Sequence, residues 1–446
     1  FNKLAEKYGD VYTLVFPTGN TVVLNTASLA REARLQRRGD LIGKSEETYF
    51  PFNEMLGDDV LTKDFSPKFV FRKKVFLTAL HAVQFAVNSK SSAERAENAA
   101  KNLLEEIDSR EEKPFLPKKL LDASMLAEIW KIMTTKELSL SNPVVKLLSE
   151  FMELVRKQAL KGAFYQMIPF WSYWPTQFNR DIKRAVEIRD TLLRPEFKAH
   201  LETYQPNVIR DLTDGFIGAF KKEIKKQNGK DVGSLDDIPA LMIDVFFAGA
   251  ETTSSTLAWF LLYMVLYKDV QEKIHKEVDL VMANDSFSVV DDIKNMPYLQ
   301  ATLCEVMRIS CVVPTIGTSA IRDTTIAGYH IPKGTFVSPN IARVHHDERE
   351  WPEPDVFKPE RFLDSEENFV GWTKVHGFMP FGLGRRECTG QSLARMIMFT
   401  VALTLLHRYE IVLPDGAEKP TTKVPRLLLI LKPQDYKILD FRFYIV

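Results

Sequence analysis

The chain has 446 residues and a mass of 51.1 kDa, room for one large domain or two to four ordinary ones. An apolar fraction of 45% beside 26% charged residues excludes wholesale disorder, and 20 glycines with 23 prolines exclude collagen-like or low-complexity chain. Equal counts of 59 basic and 59 acidic residues argue against a dedicated nucleic-acid binder, and three cysteines, Cys304, Cys311 and Cys388, cannot build a disulfide framework, which points to a reducing compartment.

In chain order, Val11–Phe16 and Thr21–Asn25 flank Pro17-Thr-Gly-Asn20 and read as a hairpin. The chain opens inside a packed pattern, so an upstream targeting or anchor segment is expected. From about residue 27 to 310 the pattern is mostly helical, with polar loops at 89–92, 225–237 and 283–292. Arg72, Lys73 and Lys74 read as a solvated basic face. Residues 164–175 hold six aromatics in 12 positions and suit a membrane–water interface or a pocket roof equally well. Ile182, Ala185, Val186, Leu192 and Leu193 share one helix face, which Pro195 should bend or stop. Leu241–Tyr267 is apolar but interrupted by Asp244 and Glu251. Its longest clean run, Leu257–Tyr267, has 11 residues, short of the ~20 a membrane span needs, so it reads as a long buried helix. Beyond Pro314, Thr324–Val337 reads as short strands, 390–408 as a helix, and 426–446 as strand again. No internal repeat is present. Strands at both ends of a helical middle predict a mainly α protein with small β-sheets, folded as a single domain over 1–446.

The sharpest chemical signal is Phe381-Gly-Leu-Gly-Arg-Arg-Glu-Cys-Thr-Gly390. A lone cysteine lies between glycines, just ahead of a helix whose N-terminus offers free amide donors and the positive end of a dipole. Arg385 and Arg386 are expected to add positive charge, favouring a thiolate that is either a nucleophile or a metal ligand. No paired Cys/His spacing supports a four-ligand zinc site, whereas one thiolate suits haem iron.

Phe381, Gly382, Gly384, Arg386, Cys388 and Gly390 match all six fixed positions of the haem-thiolate signature, and the chain resembles the cytochrome P450 family nearly end to end. Chance alone would give such a match on the order of once in 10⁵ sequences of this length. Glu305-Val-Met-Arg308 and Pro359-Glu-Arg-Phe362 are similar to two further motifs of that family. The resemblance gives Glu305, Arg308 and Arg361 a structural role behind the haem. Ala248-Gly-Ala-Glu-Thr-Thr253 resembles its oxygen-activating helix segment. Thr252 could there bend the helix by bonding back to the preceding turn, Gly249 leave room for dioxygen, and Glu251 pass protons from solvent. Phe69 and Lys73 stand where the family has tryptophan and a propionate-binding arginine, and Thr318 where many relatives have histidine.

The resemblance implies a cytochrome P450 fold with a long central helix over haem b (iron protoporphyrin IX). Cys388 would be the axial ligand of the iron. Arg386, Phe381, Gly382, Gly390, Lys73 and Ala248 would contact the cofactor, and Thr252 and Glu251 would serve oxygen activation. Pocket lining is expected from residues 45–64 and from Ala248, Val313, Thr315, Ile316, Leu427 and Leu428. The activity implied is insertion of one atom of O₂ into a lipophilic, steroid-like or other small hydrophobic substrate. NADPH–cytochrome P450 reductase would supply the electrons, with cytochrome b5 as a further partner and an acidic donor docking on the Arg72–Lys74 face. The likeness is nearest to animal microsomal enzymes of the steroid 17-hydroxylase and drug-metabolising branch, carried by 345–351 and 424–428. It places the protein on the cytosolic face of the endoplasmic reticulum membrane, where Asn284-Asp-Ser286 would go unglycosylated. Two rival readings are a reductase-independent haem-thiolate isomerase or dehydratase and a haem-binding sensor without turnover. The Glu251–Thr252 pair speaks against both.

Overall fold

Strands β1 (Val11–Phe16) and β2 (Gly19–Leu24) pair antiparallel from Val11 opposite Leu24 to Phe16 opposite Gly19. The computed structural model describes residues 2–16, 19–44, 51–86, 100, 102–110, 113–159, 161, 165, 174–226, 233–282, 293–423 and 430–443. Pairing therefore reaches Gly19 and Asn20, two residues the sequence reading placed in the turn. Strand β3 (Leu41–Gly43) pairs with β4 (Thr318–Ala320), and β5 (Thr324–Ile326) pairs with β6 (Tyr329–Ile331). Strand β7 (Phe336–Pro339) lies parallel to β2 and antiparallel to β4, giving one sheet of order β1-β2-β7-β4-β3. The N-terminal hairpin is thus joined to chain some 300 residues away. At the other end β9 (Leu439–Phe443) pairs with β8 (Tyr409–Val412), and among the described residues of the expected strand 426–446, residues 430–437 are not strand.

The long helices are α1 (Pro67–Ala86), α2 (Pro117–Thr134), α3 (Pro143–Ala159), α4 (Gln177–Thr203), α5 (Leu212–Lys226), α6 (Ile238–Leu266), α7 (Lys268–Met282), α8 (Pro297–Ser310) and α9 (Gln391–Arg408). Helix α6 is apolar on nearly all sides, the pattern of a helix buried on every face. A capping box of Ser234 and Asp237 and the helix-starting Pro239 set its entry. It packs against α2, α4, α8 and α9. Its far half is tied to the C-terminal chain, where the Trp259 indole donates to the Leu431 carbonyl at 3.1 Å and the Tyr436 hydroxyl to the Ala258 carbonyl at 2.5 Å. Helices α1 and α5 meet through Phe71 on Phe220 and Phe76 on Phe216, ring centroids 5.0 and 5.6 Å apart.

Pro195 does not end α4, contrary to the sequence expectation. The helix runs on to Thr203, because Phe178, Ile182, Ala185, Ile188, Leu193 and Phe197 are all buried. A proline inside a helix costs about 3 kcal/mol, and burying several large side chains at about 1.5–3 kcal/mol each outweighs it. Among the described residues no helix is long and apolar enough to cross a membrane. Of the aromatic segment, Tyr165 stacks on Phe178 and Trp174 is 54% exposed; the other aromatics lie outside the described residues, as do Asn284–Ser286 and 424–428.

Candidate functional site

The loop 381–390 is built on local hydrogen bonds. The Cys388 amide donates to the Phe381 carbonyl at 2.9 Å, that of Gly382 to Met379 at 3.0 Å, and that of Glu387 to Gly384 at 3.1 Å. Gly382 and Gly384 take φ of +70° and +74°, a region that favours glycine. Gly384 has a second reason to lack a side chain, since a Cβ there would stand 2.2 Å from the Arg34 carbonyl oxygen. Gly390 is the N-cap of α9, so Cys388 precedes the helix by two residues.

Cys388 is exposed at the wall of this loop, yet the protein mass around it pushes the thiol up from its ordinary value. The Gly390 amide and Arg395 pull it back only in part. The expectation of a thiolate favoured by Arg385 and Arg386 is therefore overturned for the protein alone. Arg386 turns the other way, donating to the carbonyls of Ile42 at 3.0 Å, Lys63 at 3.3 Å and Val60 at 3.5 Å. Its guanidinium carbon lies 3.7 Å from the Phe69 ring centroid. A raised thiol pKa disfavours a free nucleophile and suits a metal, which deprotonates a coordinating thiol outright.

Beside the loop a cleft with mostly apolar walls is lined by Arg34, Val313, Ile316, Met379, Gly382 and Arg386, among others. Two further cations lie near Arg386. Lys44 is buried, and burial together with Arg386 and Arg34 lowers its pKa to about 7. Lys73 is half-buried and lowered by burial and Arg386, with its ammonium on the Arg385 carbonyl. Arg34 donates to Thr318 Oγ1 at 2.6 Å and to the Ile316 carbonyl at 2.5 Å. Arg34, Arg386, Lys44 and Lys73 gather positive charge beside the loop, Lys44 facing Asp59 and Asp244 as well, and a ligand carrying carboxylates would add to those counter-charges. A flat apolar group with two propionates, ligated through one thiolate, fits this donor set.

Arg34 and Lys44 escaped the sequence reading. Nothing in 31–44 distinguishes them from the arginines nearby, and only the pairing of β3 with β4 brings them to the loop. The solvated basic face expected at 72–74 is largely absent. Arg72 is buried against Asp237 at 3.0 Å and Asp58 at 3.1 Å, and Lys74 is paired with Glu223 at 2.6 Å.

On α6, Ala248 is exposed and Thr252 half-exposed within an otherwise buried stretch. Thr252 Oγ1 donates to the Ala248 carbonyl at 2.7 Å, the bond back to the preceding turn that the sequence reading expected, and the helix continues through it. Gly249 does not face open space. A Cβ there would lie 3.1 Å from Ile129 Cδ1, so the glycine lets α2 approach α6. Glu251 is buried and faces two cations, Arg156 Nη1 at 3.3 Å and Lys118 Nζ at 3.6 Å. Lys118 also bonds Asp122, which accepts from Ser254 Oγ at 2.5 Å. The sequence reading did not foresee this network, whose members come from α2, α3 and α6.

Glu305 and Arg308 are fully buried and bidentate, at 2.6 and 2.7 Å, and Arg361 Nε reaches Glu305 at 3.4 Å. Arg308 also donates to the carbonyls of His345 and Pro354 at 2.7 and 2.8 Å. Burial pushes the Glu305 carboxyl up, against the pull of Arg308. Of the expected pocket residues, Val313 and Ile316 line the cleft, while the Thr315 hydroxyl bonds Ser338 and the Pro339 carbonyl. Leu427, Leu428 and residues 45–50 lie outside the described residues.

The family description "Cytochrome P450" matches residues 1–439. A steroid 17-alpha-hydroxylase/17,20 lyase of Ictalurus punctatus is 29% identical, covering 98% of this chain and 85% of its own length. Cytochrome P450 2D16 of Cavia porcellus is 31% identical over 98% of this chain and 87% of its own. A solved zebra fish cytochrome P450 with progesterone superposes at a TM-score of 0.84 with 26% identity, covering 98% of this chain and 97% of that one. A thiol loop, a cleft rimmed by cations and a long helix with an acid–hydroxyl pair, matched by sequence and fold over nearly the whole length, place this chain in the cytochrome P450 family.

Proposed function

We propose that this enzyme, a haem-dependent monooxygenase by family, hydroxylates a small lipophilic substrate of steroid-like size and shape, using electrons from NADPH delivered by a flavoprotein reductase. The observation that carries the reading is the exposed Cys388 in a rigid glycine loop beside an apolar cleft rimmed by cations. Steroid chemistry is supported by the 17-hydroxylase relatives and by the neighbour solved with progesterone. The exposed Trp174 supports a seat at the endoplasmic reticulum membrane, facing the cytosol. The reductase, and cytochrome b5 as a further donor, would dock on what remains exposed of the basic side, Arg385 and Lys74.

Haem, held through Cys388, would supply the oxygen chemistry, and the thiolate would be its electron-donating ligand. Arg386, Arg34, Lys44 and Lys73 would hold its carboxylates. Thr252 keeps its own proton on the Ala248 carbonyl, which leaves its oxygen lone pairs free to accept from water. Glu251 cannot meet solvent directly. Arg156, whose side chain is 39% exposed, and Lys118 hold the carboxylate in place. The apolar cleft wall binds substrate by burial and excludes water.

Cys388→Ser should abolish the ferrous–CO band near about 450 nm that thiolate ligation gives, whereas Cys304→Ser and Cys311→Ser, both buried thiols, should keep it. A normal band in the Cys388 variant would refute the assignment. Substrate-induced difference spectra against steroids, fatty acids and aromatic compounds would identify the substrate class. NADPH consumption dependent on reductase would separate a monooxygenase from a peroxide isomerase or a sensor.

A further inference from the structure

The guanidinium of Arg395, in the second turn of α9, is held between two aromatic rings next to the thiol loop. Its carbon lies 4.8 Å from the Trp372 ring centroid and 4.9 Å from that of Phe381. The rings stand 6.4 Å apart at 54°, so the cation sits astride them. One terminal nitrogen donates to Gln391 Oε1 at 3.0 Å, and Nε is buried without a hydrogen-bond partner. Among the described residues no carboxylate lies within ion-pair distance of it. The charge is therefore fixed, partly desolvated and not neutralised. The Phe381 residue that flanks it also accepts the Cys388 amide through its carbonyl at 2.9 Å, so the box and the sulfur share one rigid turn.

We propose that Arg395, fixed by Trp372 and Phe381, is a positioning residue that sets the electrostatic field at the Cys388 sulfur and so the reduction potential of the bound cofactor. The inference rests on the assignment of Cys388 as the ligand. A fixed positive charge favours the state with one more electron, and it acts strongly where water is excluded. Arginine suits the task better than lysine, because a planar guanidinium stacks on both rings while an ammonium on a flexible stem does not.

The test is spectroelectrochemical titration of the haem-loaded wild type and four variants, each checked first for its ferrous–CO band. Arg395→Gln should keep thiolate ligation and shift the midpoint potential to more negative values. Arg395→Lys should shift it less. Trp372→Leu, which leaves the charge but opens one wall of the box, should shift it in the same direction. Arg385→Gln, which removes an exposed charge from the same loop, serves as the control and should move the potential least. An Arg395→Gln potential no lower than that of the Arg385 control overturns the proposal, as does a shift in Arg395→Gln with none in Trp372→Leu. If Arg395→Gln retains no haem, Trp372→Leu decides alone, and an unmoved potential there overturns it. Absence of the thiolate band in the wild type would instead strike the assignment of Cys388.

Discussion

The three glycines of the thiol loop do different work, and alanine substitution should separate them. Gly384 combines φ of +74° with a Cβ position 2.2 Å from the Arg34 carbonyl oxygen, a backbone atom that cannot rotate away. The left-handed conformation costs about 1–2 kcal/mol for a residue with a Cβ, and forced overpacking about 1–3 kcal/mol more. Gly384→Ala should therefore lose about 2–5 kcal/mol. Gly382 has φ of +70° but its nearest neighbour to a Cβ is 3.9 Å away, so it incurs the first cost alone. Gly390, at φ of −92° with nothing within 4 Å, incurs neither. At about 2.1 cal/mol/K per residue over 446 residues, 1 kcal/mol moves the melting midpoint by about 1 °C. Denaturant titration resolves such differences better than heat, and the ferrous–CO spectrum reports on the loop directly. The expected order of loss is Gly384, then Gly382, then Gly390. Wild-type stability and an intact band in Gly384→Ala would refute the close approach of the loop to Arg34.

Thr252→Ala should leave the substrate-induced spectral shift in place but divert reducing equivalents to peroxide, read as a fall of several-fold in product per NADPH; unchanged coupling would remove the oxygen-activating role. Arg308→Met should cost about 3–5 kcal/mol in denaturant titration, because it strands the buried Glu305 carboxylate and orphans the His345 and Pro354 carbonyls; a loss below 1 kcal/mol would contradict the bidentate geometry. His200 is pushed down by burial but pulled further up by its 2.9 Å bond to Asp211 and that residue's charge, so its folded pKa is raised. Its contribution is complete below the unfolded value of about 6.5 and is lost as pH rises through the folded pKa. His275, lowered by burial, contributes the opposite slope, so the difference between wild type and His200→Gln isolates the pair. That difference should reach about 1.5–3 kcal/mol near pH 5.5 and shrink toward pH 8.5; a constant difference would rule the linkage out.

What the sequence made legible was whatever spacing along the chain fixes by itself. Glu305 and Arg308 are three apart on a helix, so their meeting needs nothing from the rest of the fold. The loop 381–390 likewise carries its own turns. The parallel pairing of β2 with β7 was not legible, because four paired positions some 300 residues apart carry no register signal. Pro195 misled for a related reason. Local chemistry argued for a break, and the burial that overrides it depends on α3 and α6, which no window around residue 195 contains.

The cations of the site show how a departure can be misread as a deficiency. Position 318 carries threonine where many members of the resembled family have histidine, and position 69 phenylalanine in place of tryptophan. Read alone, each removes a group that could hold a propionate. In the structure the small Thr318 hydroxyl accepts the buried Arg34 guanidinium at 2.6 Å, and the flat Phe69 ring carries Arg386 at 3.7 Å. A larger imidazole at 318 would stand where the Arg34 guanidinium now lies. The cation beside Thr318 is Arg34, 284 positions away in the chain. Lysines and arginines number 59, and their one-letter pattern does not say which of them the fold buries. Burial beside the thiol loop is what distinguishes these cations from surface ones, and burial is a property of the assembled sheet.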